Sequence, residues 1–150
     1  MRSLNEICYR HIIYEFYYGL FGDFKLIIDK NTGYFNATKL LNSYGIEYED
    51  WKNLYGSDKL LNIIKNIKQY KSHNGIYELK GSNDFHEKIT GIYLCKELLL
   101  DVLRVCSSKF YIKCNNIIIN NYIDNFKALP IIELKEKINE IEEKSLHNSS

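Results

Sequence analysis

The chain has 150 residues, 45% of them hydrophobic and 26% charged, and a formal net charge of +1. This is enough chain for one domain with a sizeable core. It excludes a uniformly basic nucleic-acid-coating domain, and no apolar run reaches the ~18–20 residues that cross a bilayer.

In chain order, Leu4, Ile7, Cys8, Ile12 and Phe16 follow helical spacing, which predicts a helical segment over residues 1–21. Phe24 to Asp29 is β-branched and aromatic, the composition of a strand. Lys30-Asn31-Thr32-Gly33 then reads as a turn, and Tyr34-Phe35 as a returning strand. Asn36 is placed to cap a helix over 37–44, which Gly45 stops. A second helix over 47–55 sets Trp51, Leu54 and Tyr55 on one side, with Glu47, Glu49 and Asp50 in its first turn.

Gly56 breaks that helix and Ser57 caps the next one. In this third helix Leu60, Leu61, Ile64, Ile67 and Lys68 keep helical spacing and Lys65 and Lys71 lie outside. His73-Asn74-Gly75 is a breaker. Residues 75–94 read as a β-hairpin, Ile76–Lys80 and Ile89–Leu94, with a polar tip at Gly81-Ser82-Asn83-Asp84. A helix over 96–105 follows, and then a long helix from Lys109 to Phe126 capped by Ser107 or Ser108. Its apolar load (Ile112, Ile117, Ile118, Ile119, Tyr122, Ile123) predicts burial against the sheet and other helices. Pro130 marks a linker, after which Ile131, Leu134, Ile138 and Ile141 fall at a and d heptad spacing.

Charge is unevenly spread. Between Trp51 and Lys71 five cations (Lys52, Lys59, Lys65, Lys68, Lys71) face one anion, Asp58. From Ile131 onward three lysines face five glutamates, so the tail hides a basic segment from the total. Ile, Asn, Lys and Tyr are abundant, with 13 Tyr against one Pro and one Trp, the bias of an AT-rich genome. Cys8, Cys95, Cys106 and Cys114 form no CxxC pair and have no His at zinc-finger spacing, so they read as reduced thiols and no metal site is expected. The start of the chain has no signal-peptide pattern, so a soluble intracellular protein is expected. There is no internal repeat, no Gly-rich phosphate loop and no low-complexity segment.

The run Gly33-Tyr34-Phe35-Asn36-Ala37-Thr38-Lys39-Leu40 resembles the opening motif of the KilA-N domain, a DNA-binding module of large DNA viruses and phages similar to the fungal APSES domains. Asp50-Trp51-Lys52, Thr90-Gly91-Ile92-Tyr93-Leu94 and Ser107-Ser108-Lys109-Phe110 resemble three further family steps, so the resemblance covers roughly residues 22–126. It implies an α+β fold: a small antiparallel sheet packed with helices, with a helix-turn-helix followed by a β-hairpin wing. The organisation expected is an N-terminal helical segment over 1–21, the KilA-N-like domain over 22–128 and a C-terminal helical extension over 129–150.

The resemblance implies binding to double-stranded DNA without catalysis or cofactor. The second helix of the pair and its extension would supply Lys52, Asn53 and Lys59, and the hairpin would supply Lys80, Ser82, Asn83, His86 and Lys88. Lys39, in the opening motif, joins this set. Lysines neutralise phosphate, and Asn and Ser bond to phosphate or base edges. Glu47, Glu49 and Asp50 lie beside the proposed reading helix, and Arg2, Arg10 and Arg104 lie outside the interface. Weak sequence specificity is therefore expected. The implied setting is viral DNA in a cytoplasmic replication factory of the host. Poxvirus proteins of this kind often carry a C-terminal RING finger. No cysteine follows Cys114 here, so no ligase activity is expected.

Plainer readings stand beside these. Asn36 and Thr38 suit a structural cap, Tyr34, Phe35 and Trp51 suit the core, and the lysines from 59 to 71 suit a solvated helix face as well as a DNA-facing one. His73 or His86 with Cys95 has no orienting carboxylate that would make a nucleophile pair, and Glu97 and Asp101 read as surface charges. The rival function is an interaction module that keeps the fold without DNA binding. It would form a homodimer through the 131–141 segment or capture a host protein.

Overall fold

The computed structural model describes residues 2–68, 73–81 and 87–147. Six strands, β1 (Cys8–Ile13), β2 (Phe16–Phe21), β3 (Phe24–Asp29), β4 (Tyr34–Asn36), β5 (Ile76–Leu79) and β6 (Gly91–Leu94), form one antiparallel sheet in the order β1-β2-β3-β4-β6-β5. Among the described residues six α-helices complete an α+β architecture: α1 (Ala37–Asn42), α2 (Tyr48–Asn53), α3 (Asp58–Ile67), α4 (Leu99–Cys106), α5 (Ser108–Phe126) and α6 (Ile131–His147). Because β6 lies between β4 and β5, the β5–β6 pair belongs to the main sheet.

Residues 2–21 form no α-helix. A short 3-10 turn, Leu4–Ile7, leads into the β1–β2 hairpin. The apolar spacing that fits a helix also fits strands rich in Tyr, Ile and Phe, and β2 finds a six-residue partner in β3. The two-residue turn Tyr14-Glu15 carries Tyr14 at φ +50 and lacks the usual Asn-Gly signature, so the hairpin is silent in the sequence.

Directly opposed residues share a face of the sheet. One cross-strand row is Ile28, Phe35, Leu94 and Ile76, all in or against the core. The other face carries an aromatic layer. Tyr77 stacks on Tyr93 at 5.0 Å between ring centroids, and Phe16 lies 5.4 Å from Tyr93. In this layer three hydroxyls are bonded: Tyr77 donates to Asp29 Oδ2 (2.5 Å), Tyr93 donates to the Ile89 carbonyl (2.6 Å), and Tyr34 accepts from the Gly75 N–H (3.1 Å).

Three local expectations change. Helix α2 ends at Asn53, so Tyr48 and Trp51 are buried while Leu54 is 77% exposed in the following turn and Tyr55 is exposed too. In α3, Ile67 is exposed and Lys68 is buried, its ammonium 3.4 Å from Glu97. Helix α5 buries no residue: Phe110 anchors its base against Phe24 and Phe21, and Ile112, Ile117, Ile118, Ile119, Tyr122 and Ile123 face solvent. Hydropathy marks a helix that favours cover, without saying what supplies it. No helix of the described residues is long and apolar enough to cross a membrane.

Burial holds the hydroxyls of Tyr34, Tyr77 and Tyr93 above the ordinary tyrosine range, and pushes Tyr48 up to about 12. A raised folded-state pKa contributes stability that is complete below the unfolded value of about 10 and is lost as pH rises towards the folded value. Melting temperature should therefore begin to fall near pH 9, where the unfolded thiols of Cys95 and Cys106 ionise, and fall more steeply above about pH 10, with part of the tyrosinate absorbance rising only on unfolding. One titration wave at the ordinary tyrosine pKa, with a constant melting temperature, contradicts this.

Candidate nucleic-acid interface

The chain passes from β4 into α1 through Asn36, whose side chain is 1% exposed. Its Oδ1 accepts from the Lys39 N–H (2.8 Å), capping α1, and its Nδ2 donates to the Thr90 carbonyl (2.8 Å), with the Ile89 carbonyl at 3.4 Å. Thr38 Oγ1 accepts from the Ile92 N–H (2.9 Å). The first turn of α1 is thus stitched to the start of β6. Gly91, at φ +137, leaves the room: a Cβ there would lie 2.6 Å from Asn36 Oδ1.

This joint positions a group of cations. Lys39 Nζ lies 3.8 Å from Glu87 of the segment leading into β6, and Lys88 follows it. Lys80 and Lys88, both exposed, flank the connection between the last paired residues of β5 and β6, Leu79 and Gly91. The Lys39–Glu87 pair is largely exposed, with side-chain exposures of 34% and 75%, so it holds Lys39 weakly. Ser82, Asn83 and His86 lie outside the described residues.

Lys52 is half-buried on α2, and Asn53 is exposed with its amide donating to Glu49 (3.3 Å). Glu47, Glu49 and Asp50 are exposed around the same helix start. Lys59 is exposed in the first turn of α3. Ser57 stands at the N-cap of α3 but makes no capping bond. It donates to Asp101 Oδ2 (2.5 Å), which also accepts from Trp51 Nε1 (3.1 Å). Asp101, read from sequence as a surface charge, therefore fixes the α2–α3 corner on α4, with Arg104 3.2 Å from its other oxygen.

A second cationic group is absent from the sequence reading. Arg10 and Lys25 both lie over the Tyr18 ring, at 5.3 and 3.9 Å from its centroid. Tyr18, Lys25, Asn36, Lys39 and Tyr44 line one open cleft of about 260 Å³. Arg10 pairs with Tyr18 across β1–β2, and Tyr18 pairs with Ile27 of β3. Strand alternation would have found this group had β1 and β2 been read as strands.

Other polar groups are engaged elsewhere. Cys95 is buried and its thiol is pushed up to about 12, chiefly by burial. Glu97 faces Lys68. All four cysteines are free thiols, and among the described residues no three His, Cys, Asp or Glu side chains gather as a metal site would require.

The KilA-N domain pattern matches residues 19–124. The chain is 47% identical over 146 residues to the KilA-N domain-containing protein 006L of Invertebrate iridescent virus 6, covering 96% of this chain and 42% of that protein. It is 48% identical over 130 residues to protein 313L of the same virus, covering 85% of this chain and 36% of that one. Protein L4 of Acanthamoeba polyphaga mimivirus is 30% identical over 136 residues, covering 91% of this chain and 28% of its own. The chain thus spans less than half the length of these relatives. No solved structure matches it. The chain belongs to the KilA-N domain family.

Replacing Asn36 with Ala removes a helix cap and a donor to a buried strand end, and should cost about 2–4 kcal/mol in urea denaturation. Asn36→Asp keeps the cap acceptor but turns the donor into an acceptor facing carbonyls, so it too should destabilise. Stability equal to the parent in both variants would show that the joint is dispensable.

Proposed function

We propose that this KilA-N domain binds duplex DNA, chiefly through phosphate contacts and without catalysis. The observation that carries the reading is the convergence of Lys39 with Lys25 at one cleft, with Arg10 over the Tyr18 ring of its wall and the connection flanked by Lys80 and Lys88 beside Lys39. The net charge of +1 does not oppose it, because five of the acids lie beyond Pro130. Binding of this kind needs cations that are clustered and free to exchange partners. Exposed lysines and a weak Lys39–Glu87 pair supply both.

In this reading α1 and α2 form a helix-turn-helix, and the β5–β6 connection acts as the wing. Viral DNA in a cytoplasmic factory is the natural target. Affinity for a random duplex should fall with salt at a log–log slope of about −4, for four or five phosphate contacts. Lys80→Gln with Lys88→Gln should weaken all duplexes alike and flatten the slope by about 2. An absence of binding at low salt removes the reading.

A second reading, self-association, is favoured by the uncovered apolar face of α5 and by the heptad-spaced Leu134 and Ile138 of α6, both half-buried. A homodimer through these helices should give twice the monomer mass in light scattering, and Ile119→Glu with Ile123→Glu should halve it. A monomer at tens of micromolar excludes this dimer and leaves a different partner for the face.

A further inference from the structure

Helix α3 divides its residues cleanly between two sides. Leu61, Ile64 and, beyond the last turn, Lys68 point inward and are buried. Lys59, Asn62, Ile63 and Asn66 are exposed, and their i, i+3, i+4, i+7 spacing puts them on one face. Ile63 is 47% exposed, a large apolar group in the middle of a polar face. Among the described residues the side-chain amides of Asn62 and Asn66 make no hydrogen bond, whereas that of Asn53 on α2 is held by Glu49.

We propose that α3, rather than α2, is the helix that reads base edges, and that it selects A·T pairs in the major groove. The inference rests on the DNA-binding reading above and adds the class of sequence. The chemistry follows from the side chains. An Asn amide pairs bidentately with adenine N6 and N7, two groups that no other base presents together. An aliphatic side chain packs on the thymine methyl, which lies in the same groove. Lys59, at the start of the face, is placed for a flanking phosphate.

Reach is adequate as well. Lys59 to Asn66 spans about 10 Å at 1.5 Å per residue, close to three base-pair steps of about 3.4 Å. Helix α2 is poorly suited, having six residues, two of them buried aromatics, and three exposed carboxylates at its start. The α3 face carries one anion, Asp58. The Ser57–Asp101–Trp51 bonds hold the start of α3 in place, so the face is presented on a fixed support.

The test titrates the full chain at low salt against an alternating A·T duplex and a G·C duplex of equal length. The A·T duplex should bind about 10-fold or more tightly. Asn62→Ala and Asn66→Ala should each reduce A·T binding by roughly 5- to 100-fold and leave G·C binding unchanged. Replacing thymine by uracil removes the methyl, and should weaken the parent but not Ile63→Ala. Replacing adenine by 7-deazaadenine should weaken the parent as the Asn variants do. Equal affinity for both duplexes, or Asn variants that weaken both alike, overturns this inference and leaves phosphate binding intact. Binding to neither duplex overturns the DNA reading itself, and this inference with it. Because Asn62 and Asn66 are exposed, unchanged circular dichroism is expected in both variants and confirms that the comparison is between folded proteins.

Discussion

One buried amide connects the parts of this fold. Asn36 ends β4, caps α1 and donates to the backbone that begins β6. A side chain with a carbonyl and an NH2 group can do all three, because the cap needs an acceptor and the strand end needs a donor. The absence of a Cβ at Gly91 lets the two backbones approach that closely. With this contact in place, α1 leaves the sheet in a defined direction, and Lys39 on its first turn stands beside Glu87. The geometry of the cationic cleft therefore depends on an uncharged, almost fully buried residue at its wall.

Charge is divided by position rather than by total. Lys68 contributes to the basic count of its segment but is buried against Glu97, so it is unavailable to a ligand. Arg10 and Lys25 contribute nothing to that segment, yet both lie over Tyr18, and Lys25 shares the cleft wall with Lys39. Cation–π contacts hold both heads near the sheet while leaving their outer sides to solvent, which limits the entropy lost when they meet an anion. Asp101 illustrates the same point for acids. Its carboxylate is occupied by Trp51, Ser57 and Arg104, and it acts as a structural tie between α2, α3 and α4.

The C-terminal part has a different physical character. The core ends where Phe110 packs on Phe24, and beyond it α5 carries isoleucines into solvent. A patch of that kind is unusual on an isolated domain. Because the relatives are more than twice as long as this chain, the domain is one part of a larger architecture in those proteins.

The amino-acid sequence alone determined the stretch from Phe24 to Gly45. Strand propensity, a turn ending in Gly33, the Asn36 cap and the helix stop at Gly45 each depend on residues a few positions apart, and each is found in place. It also determined the order of the later elements and the family motif. Tertiary structure decided what no short window contains. The spacing of Leu4 to Phe16 fits helix and hairpin alike, and pairing with β3 selects the hairpin. Whether Lys68 is solvated, whether Asp101 is a surface charge and whether the α5 isoleucines are core all depend on what lies opposite them in space. Local preferences are properties of neighbouring residues, whereas burial and electrostatic environment are set by residues that become neighbours only when the sheet and helices close.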